Sequence, residues 1–144
     1  MEITGIFDKL GHPHFSIEVF GVSKKSKVKI DVMFDTGFTG FLNLPLALCL
    51  QTGLVLYSTT NYKLADGRQS STILCLGTVI ISEKNEVTGA ISIDFNTNES
   101  LIGMEFLRKI IRKIKGRLQI DTSSQKVKLF IKRKVRIPRT SVRG

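Results

Sequence analysis

Residues 28 to 35, Val28-Lys29-Ile30-Asp31-Val32-Met33-Phe34-Asp35, alternate apolar and polar side chains, the period of a strand with one face on a core. A second strand is expected over residues 14 to 21. The cluster Lys24-Lys25-Ser26-Lys27 between the two reads as a turn carrying solvated charges. Two further apolar, β-branched runs, Ile73 to Ser82 and Ile91 to Phe95, read as strands, the first a central one. Residues 45 to 53 form a short helical segment opened by Pro45 and closed by Gly53. One longer helix is predicted over residues 103 to 115. There Leu107, Ile110, Ile111 and Ile114 fall on one face, and Arg108, Lys109, Arg112, Lys113 and Lys115 on the others. The pattern is mainly β, without an internal repeat.

Composition adds a size and a charge. The chain has 144 residues, 42% of them hydrophobic, which is the size of one domain with enough apolar side chains for a core. No apolar run is long enough to span a membrane. The start, Met1-Glu2-Ile3-Thr4-Gly5, lacks a basic region followed by an apolar block, so a cytoplasmic location is expected. Cys49 and Cys75 are accordingly expected as reduced thiols in the core, and their spacing does not suggest a metal site. The net charge of +10 is uneven. Residues 108 to 144 hold 14 of the 22 Lys and Arg but one of the 12 acids, Asp121, so the first 107 residues carry eight basic and eleven acidic groups. Residues 132 to 144 form a basic tail, expected to be solvated and capable of weak, salt-sensitive contact with acidic partners.

The chemistry centres on Asp35-Thr36-Gly37, where the alternating strand runs into a tight turn. Rigid strand backbone fixes the carboxylate of Asp35. Gly37 permits backbone angles and close approach that a side chain would block, and Thr36 adds a hydroxyl. Alone, the tripeptide also fits an ordinary strand end, because Asp hydrogen-bonds its own backbone in turns. Asp31, at even spacing on the same face, reads as a solvated strand carboxylate, and Asp94 as a loop residue. His12 and His14, flanking Pro13, read as part of a turn near the N-terminus, with no further metal ligands in view.

Asp35-Thr36-Gly37, continued by Phe38-Thr39-Gly40 and a Leu and Pro at 42 and 45, is followed downstream by Leu101-Ile102-Gly103 at the head of the helix. Together these resemble the single-domain, retropepsin-like aspartic proteases, the short prokaryotic relatives of the retroviral proteases and of one lobe of pepsin. The resemblance covers residues 14 to 131, and a protease domain over 1–131 followed by the tail 132–144 is expected. It implies a closed β-barrel with a flap hairpin and one helix in the C-terminal half. It assigns Asp35 as the catalytic residue, Thr36 and Gly37 as its turn supports, and Leu101, Ile102 and Gly103 as a structural motif. The flap falls on Tyr62 to Arg68, with Leu64, Ala65, Asp66 and Gly67 over the substrate; Asp66-Gly67 is a favoured hairpin turn, and equally an ordinary one. Leu118 to Asp121 and Lys126 to Phe130 match a closing hairpin. At Phe38 the sequence departs from the retroviral enzymes, which usually carry Ala there, and from pepsin lobes, which carry Ser; the short prokaryotic relatives look more like this chain at that position, so Phe38 reads as a subfamily mark.

One motif copy in a chain of one-domain length implies that the second carboxylate comes from another copy. The expected function is therefore a homodimeric aspartic endopeptidase acting on peptides or proteins, with no cofactor and no metal. The alternatives are a catalytically silent dimerisation or peptide-binding module of the same fold, and a basic nucleic-acid-associated protein carried by the tail.

Overall fold

The computed structural model describes residues 2–21, 26–63, 66–82, 85–96, 98–114, 117–121, 123–124 and 126–130. Ten strands and two helices are present among them: β1 (Glu2–Phe7), β2 (Pro13–Phe20), β3 (Val28–Phe34), β4 (Leu42–Pro45), α1 (Leu46–Thr52), β5 (Val55–Lys63), β6 (Gln69–Ser82), β7 (Asn85–Asp94), β8 (Leu101–Ile102), α2 (Met104–Ile114), β9 (Arg117–Asp121) and β10 (Lys126–Phe130).

The alternation becomes a barrel wall. Phe15, Ile17 and Val19 of β2 face inward, as do Ile30, Val32 and Phe34 of β3, while Ser16, Glu18, Lys29 and Asp31 face out. The two strands pair antiparallel from His14 opposite Met33 to Val19 opposite Val28. Six strands then close on themselves in the order β2-β3-β8-β4-β7-β6, because the second half of β2 leaves β1 and pairs with β6 through Glu18–Ile80, Val19–Val79 and Phe20–Thr78. Closure leaves these six strands without a shared free edge. The pairs β3–β8 and β4–β7 are parallel, and the others in the ring are antiparallel. Outside it, β5 pairs with β6 as a hairpin, and β1 carries the β9–β10 hairpin expected at the C-terminal end.

Val19, Val32, Leu42, Leu44, Val79, Val87, Ile91 and Ile110 are fully buried. Each such side chain stabilises the fold by about 1.5–3 kcal/mol relative to exposure, before chain entropy is charged against it. Helix α2 closes one end of the barrel through Phe106 and Ile110, and the Phe106 ring meets that of Phe41 at 5.5 Å between centroids, tilted 47°. The apolar seam between α2, the barrel and β9–β10 holds about 10 Å³. That space is too small and too apolar for ordered water, so the seam is packed core.

The helices end close to where the pattern places them. Pro45 closes β4 and immediately precedes α1, and Gly53 ends α1 at φ 65°, its N–H returning to the carbonyl of Leu50. The α2 face differs from expectation at Ile111, and the side chain of Ile114 lies outside those described. Ile111 is 49% exposed, because the buried stripe runs through Phe106 and Ile110 instead. The basic tail, residues 132–144, lies outside the described residues, as do Leu64 and Ala65.

Candidate active site

Asp35 lies where β3 ends, partly exposed, and three segments of backbone hold its turn. Its N–H donates to the carbonyl of Ile102 at 3.0 Å, one step beyond the parallel β3–β8 pairing of Met33 with Leu101 and Phe34 with Ile102. The Met33 N–H donates to Ser100, 2.9 Å away. Within the turn, the Phe38 N–H donates to the Asp35 carbonyl at 3.1 Å. From the other side, the first N–H groups of α2 end on the same loop: Gly103 on Phe41 at 3.1 Å, Met104 on Phe38 at 2.9 Å and Glu105 on Gly40 at 3.1 Å. Helix N–H groups that would otherwise lack partners are thus satisfied by the loop that carries Asp35. The structure therefore brings Leu101, Ile102 and Gly103 together with Asp35, Thr36 and Gly37.

The carboxylate itself is half engaged. Its Oδ1 accepts the Gly37 N–H at 2.8 Å, while Oδ2 has no hydrogen-bond partner among the described residues. A Cβ on Gly37 would lie 3.2 Å from Oδ1. Among the described residues the positive-φ glycines are Gly11, Gly53 and Gly67, so at position 37 the requirement is for space beside the carboxylate, not for unusual backbone angles. Thr36 is exposed, and no hydrogen bond or ion pair brings a second carboxyl group to Asp35 among the described residues.

Around the Asp35 loop, backbone closes in on Gly103. A Cβ there would fall 2.2 Å from the Gly40 carbonyl oxygen, 2.6 Å from the Phe38 carbonyl oxygen and 2.6 Å from the Phe38 ring. Beneath the loop, Phe41 is buried against α2. The Lys109 ammonium stands 5.2 Å from the Phe41 ring centre, donates to the Thr88 carbonyl at 2.8 Å and lies 3.6 Å from Glu105. The base of the loop is consequently rigid.

Asp66 and Gly67 sit at the tip of the β5–β6 hairpin, between the paired Lys63 and Gln69. Gly67 has φ 86°, and the Asp66 carboxylate takes the Arg68 backbone N–H at 3.0 Å and the Arg68 Nε at 2.6 Å. The hairpin joins the strand of Asp35 through β6 and β2.

A second group of ionisable side chains lies at the same end of the β2–β3 pair. β2 runs antiparallel to β3, so the residues before His14 reach the end where Phe34 leads into Asp35. His14 places Nε2 2.7 Å from Asp8 Oδ2 and Nδ1 3.2 Å from Asp31 Oδ2. Asp31 is therefore solvated, as expected, but also bonded. His14 stands in strand β2, and the turn proper runs from Asp8 to His12. Hydrogen bonds from the His12 backbone N–H and the His14 side chain, with the Leu10 backbone N–H contributing, hold the Asp8 carboxyl down at about 2. Among the described residues no group of His, Cys, Asp and Glu is arranged to hold a metal ion.

Sequence reasoning did not find this histidine bridge or the position of the Phe38 ring. The glycines at 40 and 103, on two different segments, were the available signal for the ring, but nothing in their spacing says which side chain fills the gap.

No protein-family model matches the chain, and no curated protein matches it. Among solved structures it is similar to a retropepsin-like aspartic protease from Rickettsia conorii, with 21% identity and a TM-score of 0.62 over 90% of this chain and 89% of that one. At that identity the likeness is one of fold. No helix among the described residues is long and apolar enough to cross a membrane. The closed six-strand barrel, its capping helix and the match over nearly the whole length of both chains show that this protein has a retropepsin-like fold.

Proposed function

We propose that the chain is one subunit of a homodimeric aspartic endopeptidase. The observation that carries this reading is the Asp35 turn: its backbone is clamped at a strand end between β8 and α2, and the carboxylate's Oδ2 has no partner among the described residues, in a retropepsin-like fold. Each chain supplies one such carboxylate, so a two-fold axis through the turn would bring two together. Two carboxyl groups at one site cannot both ionise cheaply, and they hold one proton between them. The ionised member takes a proton from water as that water attacks the peptide carbonyl carbon. The protonated member gives its proton to the carbonyl oxygen; the member that took the water's proton then passes it to the amide nitrogen while the other takes back a hydroxyl proton, so that the tetrahedral adduct collapses to a carboxylic acid and a free amine and the shared proton is restored. No cofactor is required.

The β5–β6 hairpin, with Asp66 and Gly67 at its tip, is suited to cover an extended peptide lying in the cleft, which would be held by main-chain hydrogen bonds with alternate side chains in pockets. Thr36 would join the two turns across the axis. Residues 132–144 are assigned no part in bond cleavage, and a chain ending at Ile131 should cleave a neutral peptide as the full chain does.

The test is Asp35→Asn, assayed against a diverse peptide library. Asn keeps the shape of the side chain but cannot cycle a proton, so cleavage should vanish while the fold and the dimer persist. Near-wild-type turnover by the purified Asn variant would exclude Asp35 from the mechanism. A folded wild type that cleaves nothing in the library would favour the silent module.

A further inference from the structure

Phe38 has its backbone in two places at once. Its N–H closes the Asp35 turn at 3.1 Å, and its carbonyl accepts the first α2 N–H, that of Met104, at 2.9 Å. Its half-buried ring spans two glycines on separate segments. A Cβ added to Gly40 would lie 2.6 Å from the ring Cζ and 2.7 Å from Cε1, and one added to Gly103 would lie 2.6 Å from Cδ2. Gly103 is closed to any side chain by backbone as well, through the Gly40 and Phe38 carbonyls. Gly40 differs: the three atoms nearest to its added Cβ, its chain neighbours aside, all belong to the Phe38 ring. The absence of a side chain at 40 is therefore specifically matched to the presence of a large one at 38.

We infer that Phe38 is a positioning residue: its ring, keyed into Gly40 and Gly103, sets the attitude of the Asp35 turn against α2 and so the separation of the two carboxylates in the dimer. The turn is short, and a ring wedged three residues from Asp35 leaves it little freedom to rock on the Ile102 hydrogen bond. A shift of about 1 Å in a reacting group can cost 10²-fold in rate. The separation of two carboxyl groups also governs how strongly they share a proton, and hence how far apart their two apparent pKa values stand. Of the charged groups on neighbouring elements, Asp31 is bonded to His14, Glu105 lies by Lys109, and Glu99 also has an interaction. This inference rests on the paired-carboxylate dimer of the peptidase reading for its kinetics and its titration, but not for its stability.

The experiment is a cycle of Phe38→Ala, Gly40→Ala and the double variant, with Phe38→Leu as the conservative control. Each chain is followed by kcat and KM across pH, by carboxyl ¹³C titration of Asp35, and by urea unfolding. Phe38→Ala should lower kcat about 10- to 100-fold with KM changed less than threefold. Its pH profile should narrow, because a loosened pair couples less strongly and its two apparent pKa values approach each other. Phe38→Leu should recover most of the loss. Gly40→Ala should be impaired in the wild-type background and cause less than a twofold further loss once Phe38 is Ala, a non-additivity that independent sites do not show. Independent, multiplying effects of the two substitutions would overturn the proposal. So would a Phe38→Ala chain with uniformly lowered activity and unmoved titration, since that is lost packing alone. If the wild type cleaves nothing, the peptidase reading fails separately; the unfolding cycle then decides whether the Phe38 ring is keyed to Gly40, and the Asp35 titration decides its effect on the pair wherever sedimentation shows a dimer.

Discussion

The N–H of Asp35 rests on the carbonyl of Ile102, 3.0 Å away, so the candidate catalytic turn and the entrance to α2 form one unit. Gly103 is the point at which that unit tolerates no added atom, because a Cβ would meet the Gly40 carbonyl oxygen at 2.2 Å. Backbone cannot swing aside as a side-chain tip can. Gly103→Ala should therefore cost at least the roughly 1–3 kcal/mol typical of overpacking and should reduce cleavage in the fraction that remains folded. Urea unfolding monitored by circular dichroism checks the first, and kcat per folded subunit the second. An Ala variant as stable and as active as wild type would mean that the two segments are not locked together.

The bridge from Asp8 through His14 predicts an acid-sensitive component of stability. Asp8 has a folded pKa of about 2 against an ordinary 3.8. Above pH 3.8 the carboxylate is ionised in both states and its hydrogen bonds stabilise the fold in full. As pH falls from 3.8 towards 2, the unfolded chain takes up a proton that the folded chain does not, and that stabilisation is lost. Asp121, also held down at about 2 by Ser123 and Ser124, acts in the same direction. Asp8→Asn should lower the melting temperature at pH 6, and the gap to wild type should close by pH 2. A gap that stays constant across that window would remove Asp8 from the acid response.

Much of this architecture was readable because burial on one face leaves a period. Ile30, Val32 and Phe34 mark β3, the apolar residues of α2 mark a helix, and Asp66-Gly67 marks a hairpin tip. The elements that escaped are those whose stability comes from neighbours. β4 and β8 have four and two residues, too few for any period, and exist because each is paired on both sides. β5 is an edge strand with exposed Leu56 and Tyr57 and a register shift between Leu56 and Ser58, which erases its alternation. β1 is secured by pairing with β10, more than a hundred residues away in sequence. The site followed the same rule. Asp35 was legible from its turn, whereas the Phe38 ring and the His14 bridge depend on contacts between segments that only the fold brings together.

The two buried thiols predict the opposite limb of the pH profile. Desolvation, with Cys75 adding to it, pushes the Cys49 thiol from its ordinary 9.0 up to about 12, and desolvation raises Cys75 too. Between pH 9 and 12 the unfolded chain releases protons that the folded chain keeps, so stability falls with rising pH, by at most about 1.4 kcal/mol per pH unit for each thiol. A Cys49→Ala, Cys75→Ala chain will be less stable at pH 8, because two buried groups are lost, but should show a shallower decline between pH 9 and 10.5 in urea unfolding. Equal slopes in the two chains would show that the thiols do not govern the alkaline limb. The folded wild type should also react slowly with an aromatic disulfide reagent at pH 8, since both sulfurs are buried and protonated.

Assembly supplies the sharpest test of the shared-carboxylate reading. With one Asp-Thr-Gly per chain, a functional pair requires two subunits related by a two-fold axis, each presenting the same surface to the other. Cleavage per subunit should then fall on dilution through the dissociation range of the dimer, in step with the dimer fraction seen by sedimentation. Asp35→Asn chains provide a complementary measure. Mixed with wild type in equal amounts and allowed to exchange at random, they leave one quarter of dimers wholly wild type and one half mixed. If a mixed dimer lacks the second acid, activity per wild-type subunit should fall to about one half, and further as the variant is added in excess, because proton cycling needs both groups. If each chain worked alone, activity would track the amount of wild type and ignore the variant. A concentration-independent rate, together with indifference to excess Asp35→Asn, would show that the active unit is the monomer and that the second catalytic group lies within this chain.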